Sequence, residues 1–229
     1  MYQSPQLNIT QNLTHTLGVA IVRGDFTVSL PSEADLCERY SVSRSATREA
    51  VKMLSAKGLI RSRPKQGIRI QEERHWNMFD TDVLKWTLVS KPTLGLLREF
   101  FEMRIVTDAQ AASLAAKHAS DEDLTSIEHA VQRMRDADVG LDDTLEADIA
   151  FFTAIFEATH NRFFLQLIEF VSTALRVSQR YTSRMHGIKL NNVAIYEAIL
   201  DAIVQGNSMA AYSLVKTMLD DMTKAVLVE

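Results

Sequence analysis

Apolar residues recur at helical spacing along most of this 229-residue chain. Ile9, Leu13, Leu17, Ala20 and Ile21 form one stripe and predict a helix over 9–23, ended by Gly24 and Asp25. Thr27–Leu30 predicts a short extended link. Pro31 then opens a second helix, about 32–39, with Ser32 as its cap, Leu36 and Cys37 facing inward, and Glu33 and Glu38 outward. A third, about 43–57, carries Ala46, Ala50, Val51 and Leu54 on one stripe and Arg44, Arg48 and Lys52 on another, and Gly58 ends it. The period then changes: Ile60, the Pro64–Gly67 turn and Ile68–Ile70 predict two short strands around a basic turn.

Residues 71–80, EERHWNMFDT, read as a linker, with Trp76 and Phe79 expected to dock it on the second domain. From 81 onward the pattern is helical throughout, with helices expected at 81–89, 93–118, 121–137, 143–159, 161–184, 191–205 and 208–227. Pro92, Ser120-Asp121, Gly140, His160-Asn161, Gly187 and Gly206-Asn207 separate them. The predicted fold is mainly α: an N-terminal winged helix-turn-helix over 1–73, joined to a C-terminal antiparallel α-helical bundle over 74–229.

Overall charge, -4, argues weakly against a nucleic-acid partner, but its distribution reverses that reading. Residues 1–75 hold 11 basic and 7 acidic residues, net +4, whereas residues 76–229 hold 14 and 22, net -8. A basic module tethered to an acidic one fits a DNA footprint confined to the first. The single cysteine, Cys37, excludes an intrachain disulfide and is expected to pack as a small hydrophobe. No apolar run approaches the roughly 20 residues a membrane span needs, and the N-terminus lacks a secretory pattern, so a cytoplasmic location and no membrane partner are expected.

The chemistry is concentrated between Leu30 and Ile70. A helix opening with Ser43, Arg44 and Ser45 and carrying Arg48 one turn on can enter a major groove. There arginine pairs with guanine edges while serine or threonine holds phosphate. The run LPSEADLCERYSVSRSATREAVKMLSAKGLI followed by RPKQGIRI resembles the GntR family of bacterial transcription regulators. With the helical bundle behind it, the chain is similar to the FadR-type subfamily, and WNMFDTDVLKW at 76–86 resembles sugar-acid regulators, galactonate regulators in particular.

That resemblance implies base or phosphate contacts from Arg44 and Arg48, backbone positioning by Ser43, Ser45 and Thr47, and close approach of the wing tip at Gly67; the wing's own charge adds an expectation of phosphate contacts from some of Arg61, Arg63, Lys65 and Arg69, Arg63 and Lys65 foremost. One departure is Ala34, where the family often has a DNA-contacting arginine. In the bundle, many relatives hold a divalent metal with an aspartate and three histidines. The aspartate matches Asp148, but the histidine positions fall at Phe152, Asn192 and Asp221. Imidazoles suit zinc or nickel, while oxygen donors suit harder ions or none. No tightly bound cofactor is therefore expected, and a weakly held Mg²⁺ or Ca²⁺ on Asp148, Asn192 and Asp221 is left open.

Arg104 and Asp108 match the family's R-x-x-x-E/D step, and the arginine is a sensible clamp for an effector carboxylate. The expected effector site comprises Arg104, Asp108, Asp148, Phe152, Asn192 and Asp221. His118, His160 and His186 make no catalytic case, and no nucleophile elbow, phosphate loop or dinucleotide fingerprint is present. The expected function is a homodimeric, ligand-responsive repressor of a sugar-acid operon. Its expected partners are a double-stranded DNA operator and a small organic acid, galactonate or a related hexonate. Two alternatives remain at this point: a metal-dependent helical-bundle hydrolase carrying a DNA module, and a ligand-blind architectural DNA binder.

Overall fold

The computed structural model describes residues 8–63, 66–185 and 192–227, the side chains of 179–185 and 225–227 excepted. The chain divides into two compact units, Met1–Lys91 and Pro92–Glu229.

The first unit begins with α1 (Ile9–Arg23), whose first turn is satisfied by a reciprocal cap between Asn8 and Gln11. After β1 (Ser29–Leu30) comes α2 (Glu33–Tyr40), where Ser32 and Asp35 make the same kind of box. Ser41 turns the chain through the left-handed region (φ 52°), and Ser43 caps α3 (Arg44–Ala56). Strands β2 (Ile60–Arg63) and β3 (Gly67–Ile70) pair antiparallel, with Ser62 opposite Ile68 and Arg63 opposite Gly67. The expected extended link at Thr27–Leu30 is in part a strand: β1 pairs with β3, Leu30 opposite Ile68, completing a three-stranded sheet in the order β1-β3-β2. Leu17, Leu36, Val51, Leu54, Leu59 and Ile68 form the core between helices and sheet.

Residues 71–80 are not a free tether. Trp76 is buried in that same core and its indole N–H donates to the Gln71 carbonyl at 3.1 Å, whereas Phe79 is largely exposed. Helix α4 (Thr81–Ser90) then packs on α1 within the first unit. Gly18 makes this possible, because a Cβ there would lie 2.3 Å from the Trp86 ring. The Trp86 indole donates to His15 Nδ1 at 2.8 Å. Lys57, at the end of α3, binds Asp80 at 2.8 Å and Asp82 at 2.9 Å and lies 5.6 Å from the Trp86 ring centre. Both tryptophans thus pack inside the first unit.

The second unit is all helical among its described residues: α5 (Leu94–His118), α6 (Asp121–Asp138), α7 (Thr144–Ala158), α8 (Arg162–Leu165), α9 (Leu167–Met185), α10 (Val193–Val204) and α11 (Ser208–Leu227). The single helix expected over 161–184 is broken at Gln166. α5 packs on α11, α6 on α7, and α10 against α5, α6 and α11. The buried face of α5 runs Leu97, Phe101, Arg104, Asp108, Ala111 and Ala115. Those steps alternate four and three, as in a helix-packing seam. A guanidinium and a carboxylate therefore occupy two positions that packing alone would fill with apolar side chains. No helix among the described residues is long and apolar enough to cross a membrane.

Candidate DNA-reading face and effector site

Helix α3 buries Thr47, Ala50, Val51 and Leu54, and this turns Arg44, Arg48 and Lys52 outward. Ser43 spends its hydroxyl on the cap, accepting from the Ala46 N–H at 3.2 Å, and lies 3.0 Å from the Ser45 hydroxyl. Both serines are exposed at the tip of the helix. Arg44 has no ion-pair partner among the described residues, whereas Arg48 Nε donates to Glu33 on α2 at 3.1 Å. On the wing, Arg61, Arg63 and Arg69 are exposed, and Gly67 holds a φ of 74°, a conformation other residues adopt only at a cost. Lys65 lies outside the described residues.

Thr47 corrects the sequence expectation. It has no exposure, and its hydroxyl donates to the Ser43 carbonyl at 3.2 Å and lies 3.2 Å from Cys37 Sγ. It belongs to the apolar stripe and ties α3 to α2; it does not face a duplex. Cys37 is half-buried, in the position expected of a packing residue.

In the bundle, Arg104 and Asp108 have no exposed surface and are joined by an Nε–Oδ2 contact of 2.7 Å. The Thr107 hydroxyl occupies the other Asp108 oxygen at 3.0 Å. The guanidinium lies 4.7 Å from the centre of the Phe152 ring, while both of its terminal nitrogens are buried without a hydrogen-bond partner among the described residues. Asp148 is also buried and accepts from the Tyr196 hydroxyl at 2.8 Å, leaving its second oxygen without a partner among the described residues. Tyr196 packs edge-on to Phe151, which packs edge-on to Phe152. Burial raises the pKa of Asp108 and of Asp148 in spite of the nearby Arg104 charge, and burial together with Asp148 pushes the Tyr196 hydroxyl well above its ordinary value.

Four of the six expected effector residues, Arg104, Asp108, Asp148 and Phe152, are thus buried in the bundle around α5 and α7. The other two do not join them. Asn192 is exposed and caps α10, its carbonyl oxygen accepting from the Ala194 N–H at 3.2 Å. Asp221 is exposed and pairs with Lys224 at 3.1 Å. Tyr196, one turn beyond Asn192, takes the place on α10 that sequence reasoning gave to Asn192. The sign was an aromatic residue with a polar end inside an otherwise apolar helix.

This donor set does not fit the metal that the family pattern implies. Phe152 is a buried ring at one ligand position, Asn192 and Asp221 are occupied on the surface, and no cluster of three or more His, Cys, Asp or Glu exists among the described residues. Of the histidines, His160 adopts a left-handed φ of 50° and pairs with Asp123 at 2.7 Å between two helices, and His186 lies outside the described residues.

Residues 10–70 match the model of "Bacterial regulatory proteins, gntR family", and residues 99–221 match the FCD domain. The chain is 32% identical over 221 residues to the galactonate operon transcriptional repressor of Escherichia coli K12, covering 95% of this chain and 96% of that protein. It is 30% identical to the uncharacterized HTH-type transcriptional regulator YieP of the same strain, covering 93% and 94%. Among solved structures, Lar, which controls the expression of the Listeria monocytogenes agr system, superposes with a TM-score of 0.59 at 16% identity, covering 99% of this chain and 100% of that one. Streptococcus agalactiae GntR does so with 0.52 at 22%, covering 94% and 100%. These two likenesses speak to fold alone. An arginine-bearing helix exposed beside a wing, an all-helical second unit and two matching domain models agree: the chain belongs to the GntR family of bacterial regulatory proteins, with a C-terminal FCD domain, and is a DNA-binding transcriptional regulator.

Proposed function

We propose that this regulator is a homodimeric repressor whose DNA binding is altered by a small hydroxylated carboxylic acid, galactonate or a related hexonate, held in the helical domain. The observation that carries this reading is the Arg104 guanidinium, buried with both terminal nitrogens unpartnered among the described residues. A buried charged donor without an acceptor is costly, and a planar fork matches the two oxygens of a carboxylate. Asp108 fixes the fork from its Nε side and Phe152 covers one flank. The second oxygen of Asp148, held in place by Tyr196, would accept from a hydroxyl of the same ligand. The relative named a galactonate operon repressor supports the hexonate assignment.

On DNA, Arg44 and Arg48 would read base edges, Ser43, Ser45 and Arg63 would hold phosphates, and Gly67 would let the wing approach; Lys65 belongs to the same set. Two copies would place their α3 helices about 34–36 Å apart, in successive major grooves. Repression then requires the acid to bind the DNA-competent and DNA-incompetent states with different affinities. Such a DNA regulator works in the cytoplasm. The regulatory character of the family removes the hydrolase alternative; the ligand-blind alternative is decided by experiment.

Thermal unfolding in the presence of galactonate and other hexonates is that experiment. At 100 times its Kd an effector adds about 2.7 kcal/mol of stability by mass action. The gain should survive EDTA, because the charge partner is Arg104 rather than a metal, and it should be lost in Arg104→Lys. A panel in which no organic acid stabilises the protein would leave the ligand-blind reading in its place.

A further inference from the structure

Arg48 differs from its neighbours on the exposed row of α3. Its Nε donates to Glu33 Oε2 at 3.1 Å, although the two residues are fifteen apart in sequence and on different helices. Glu33 is the first residue of α2, directly after the Ser32 cap. That cap is fixed twice by the Asp35 carboxylate, from the Ser32 hydroxyl at 2.7 Å and from its N–H at 3.2 Å. Beneath the pair, Leu36 is fully buried and Cys37 Sγ lies 3.2 Å from Thr47 Oγ1, so α2 and α3 are joined at the residue preceding Arg48. Glu33 is half-buried, while the Arg48 side chain keeps 70% of its exposure.

We infer that Glu33 is a positioning residue for sequence reading: it holds the Arg48 guanidinium by Nε, so that both terminal nitrogens face outward as a ready fork for a guanine O6 and N7. The inference rests on α3 being the helix that enters the groove. A long arginine side chain loses rotamer freedom when it docks, and a preformed contact removes part of that loss before binding. The carboxylate also offsets the attraction of Arg48 for phosphate, which acts on every duplex alike, and leaves its base-edge pairing, which depends on sequence. An ion pair this exposed contributes little to folding, so its effect belongs in DNA discrimination rather than in stability.

The test is a double-mutant cycle on the full-length protein. Duplexes are first selected by the wild-type protein from a randomised pool, and affinities for a selected duplex and for a scrambled one are then measured by fluorescence anisotropy at one salt concentration. Glu33→Gln should lower the ratio of selected to scrambled affinity by about tenfold, at the small end of what a bidentate arginine–guanine pair contributes. Scrambled-duplex affinity should hold or rise, and the melting temperature should not move. In an Arg48→Ala background the same substitution should leave the ratio unchanged. An unaltered ratio in the wild-type background overturns the inference. So does a fall that persists without Arg48, since Glu33 would then touch DNA itself, or an equal loss of both affinities with a lowered melting temperature. If the wild-type protein enriches no duplex, the reading of α3 fails and this inference fails with it; enrichment with an unaltered ratio sinks the role of Glu33 alone.

Discussion

Replacing Arg104 with methionine isolates the cost of a buried charge in the seam of α5. Methionine fills a similar channel and carries no fork, so the packing loss is small. What remains is Asp108, with no exposed surface and the Thr107 hydroxyl, at 3.0 Å, as its remaining partner. That carboxylate either stays ionised without a cation or takes up a proton. At pH 7 the second course costs about 4 kcal/mol, the free energy of protonating a carboxyl of ordinary pKa three units above that value. It sets a ceiling, so Arg104→Met should destabilise the protein by about 3–4 kcal/mol, in the range found when one partner of a buried pair is removed. The sign with pH comes from burial. Burial already raises the Asp108 pKa in the wild type against the opposing charge of Arg104, so loss of Arg104 raises it further. The penalty is therefore complete above the folded-state pKa and recedes as pH falls towards the unfolded value near 4. Urea unfolding monitored by far-ultraviolet circular dichroism should show a deficit at pH 7 that narrows at pH 5. The double variant Arg104→Met/Asp108→Leu, with neither charge left, should recover most of it. A single variant as stable as the wild type at pH 7, or a deficit indifferent to pH, would refute the reasoning.

The other consequences fall on the first unit. Arg48→Ala should weaken binding to a selected duplex by about five- to a hundredfold without changing the melting temperature; unchanged anisotropy would remove Arg48 from the reading face. Gly18→Val should destabilise by about 1–3 kcal/mol, because its Cβ meets the Trp86 ring at 2.3 Å, and a shift in Trp86 fluorescence should accompany the lowered urea midpoint. Lys57→Met should cost about 1–2 kcal/mol at pH 7. Burial works against the Lys57 charge, but its bonds to Asp80 and Asp82 outweigh this and raise its pKa. The stabilisation is therefore present below about pH 10.4, and the gap in urea midpoint between variant and wild type should close as the pH rises through the folded-state value.

Helices were legible wherever an apolar stripe coincided with a polar cap, as at Ser120 just before α6 or Ser32 just before α2. β1 was not, because two residues carry no period and Leu30 finds its partner Ile68 far along the chain. The exposed cations of α3 came from spacing alone, and so, in principle, did the burial of Thr47: it sits three and four residues before Ala50 and Val51, on the same stripe. Its neighbours in the motif drew it to the wrong face. In the bundle, local pattern placed Arg104 and Asp108 together because they share a helix. It failed for Asn192 and Tyr196, where the choice depends on which side of α10 meets α5, α6 and α11. That is a matter of tertiary packing, which single-helix periodicity does not encode.

The burial of Trp76 and the fastening of α4 bear on how an effector in the bundle can reach DNA. A flexible tether at 71–80 would transmit little, since a chain that absorbs displacement biases no equilibrium. Here that segment is held by the Trp76 indole, and the next helix is fixed to α3 by Lys57 and to α1 through Trp86 and His15. The first unit is therefore packed as one body up to Lys91, and the covalent path to Leu94, where α5 begins, is three residues long. The same α5 carries Arg104 and Asp108 about three and four turns further on. If a carboxylate captured by Arg104, as proposed above, shifts α5, the short covalent path at 91–94 and α4 would be the route by which that displacement reaches the DNA-binding body. Variants at Lys57 or Gly18 should then weaken the effector's influence on DNA affinity more than they weaken effector binding itself.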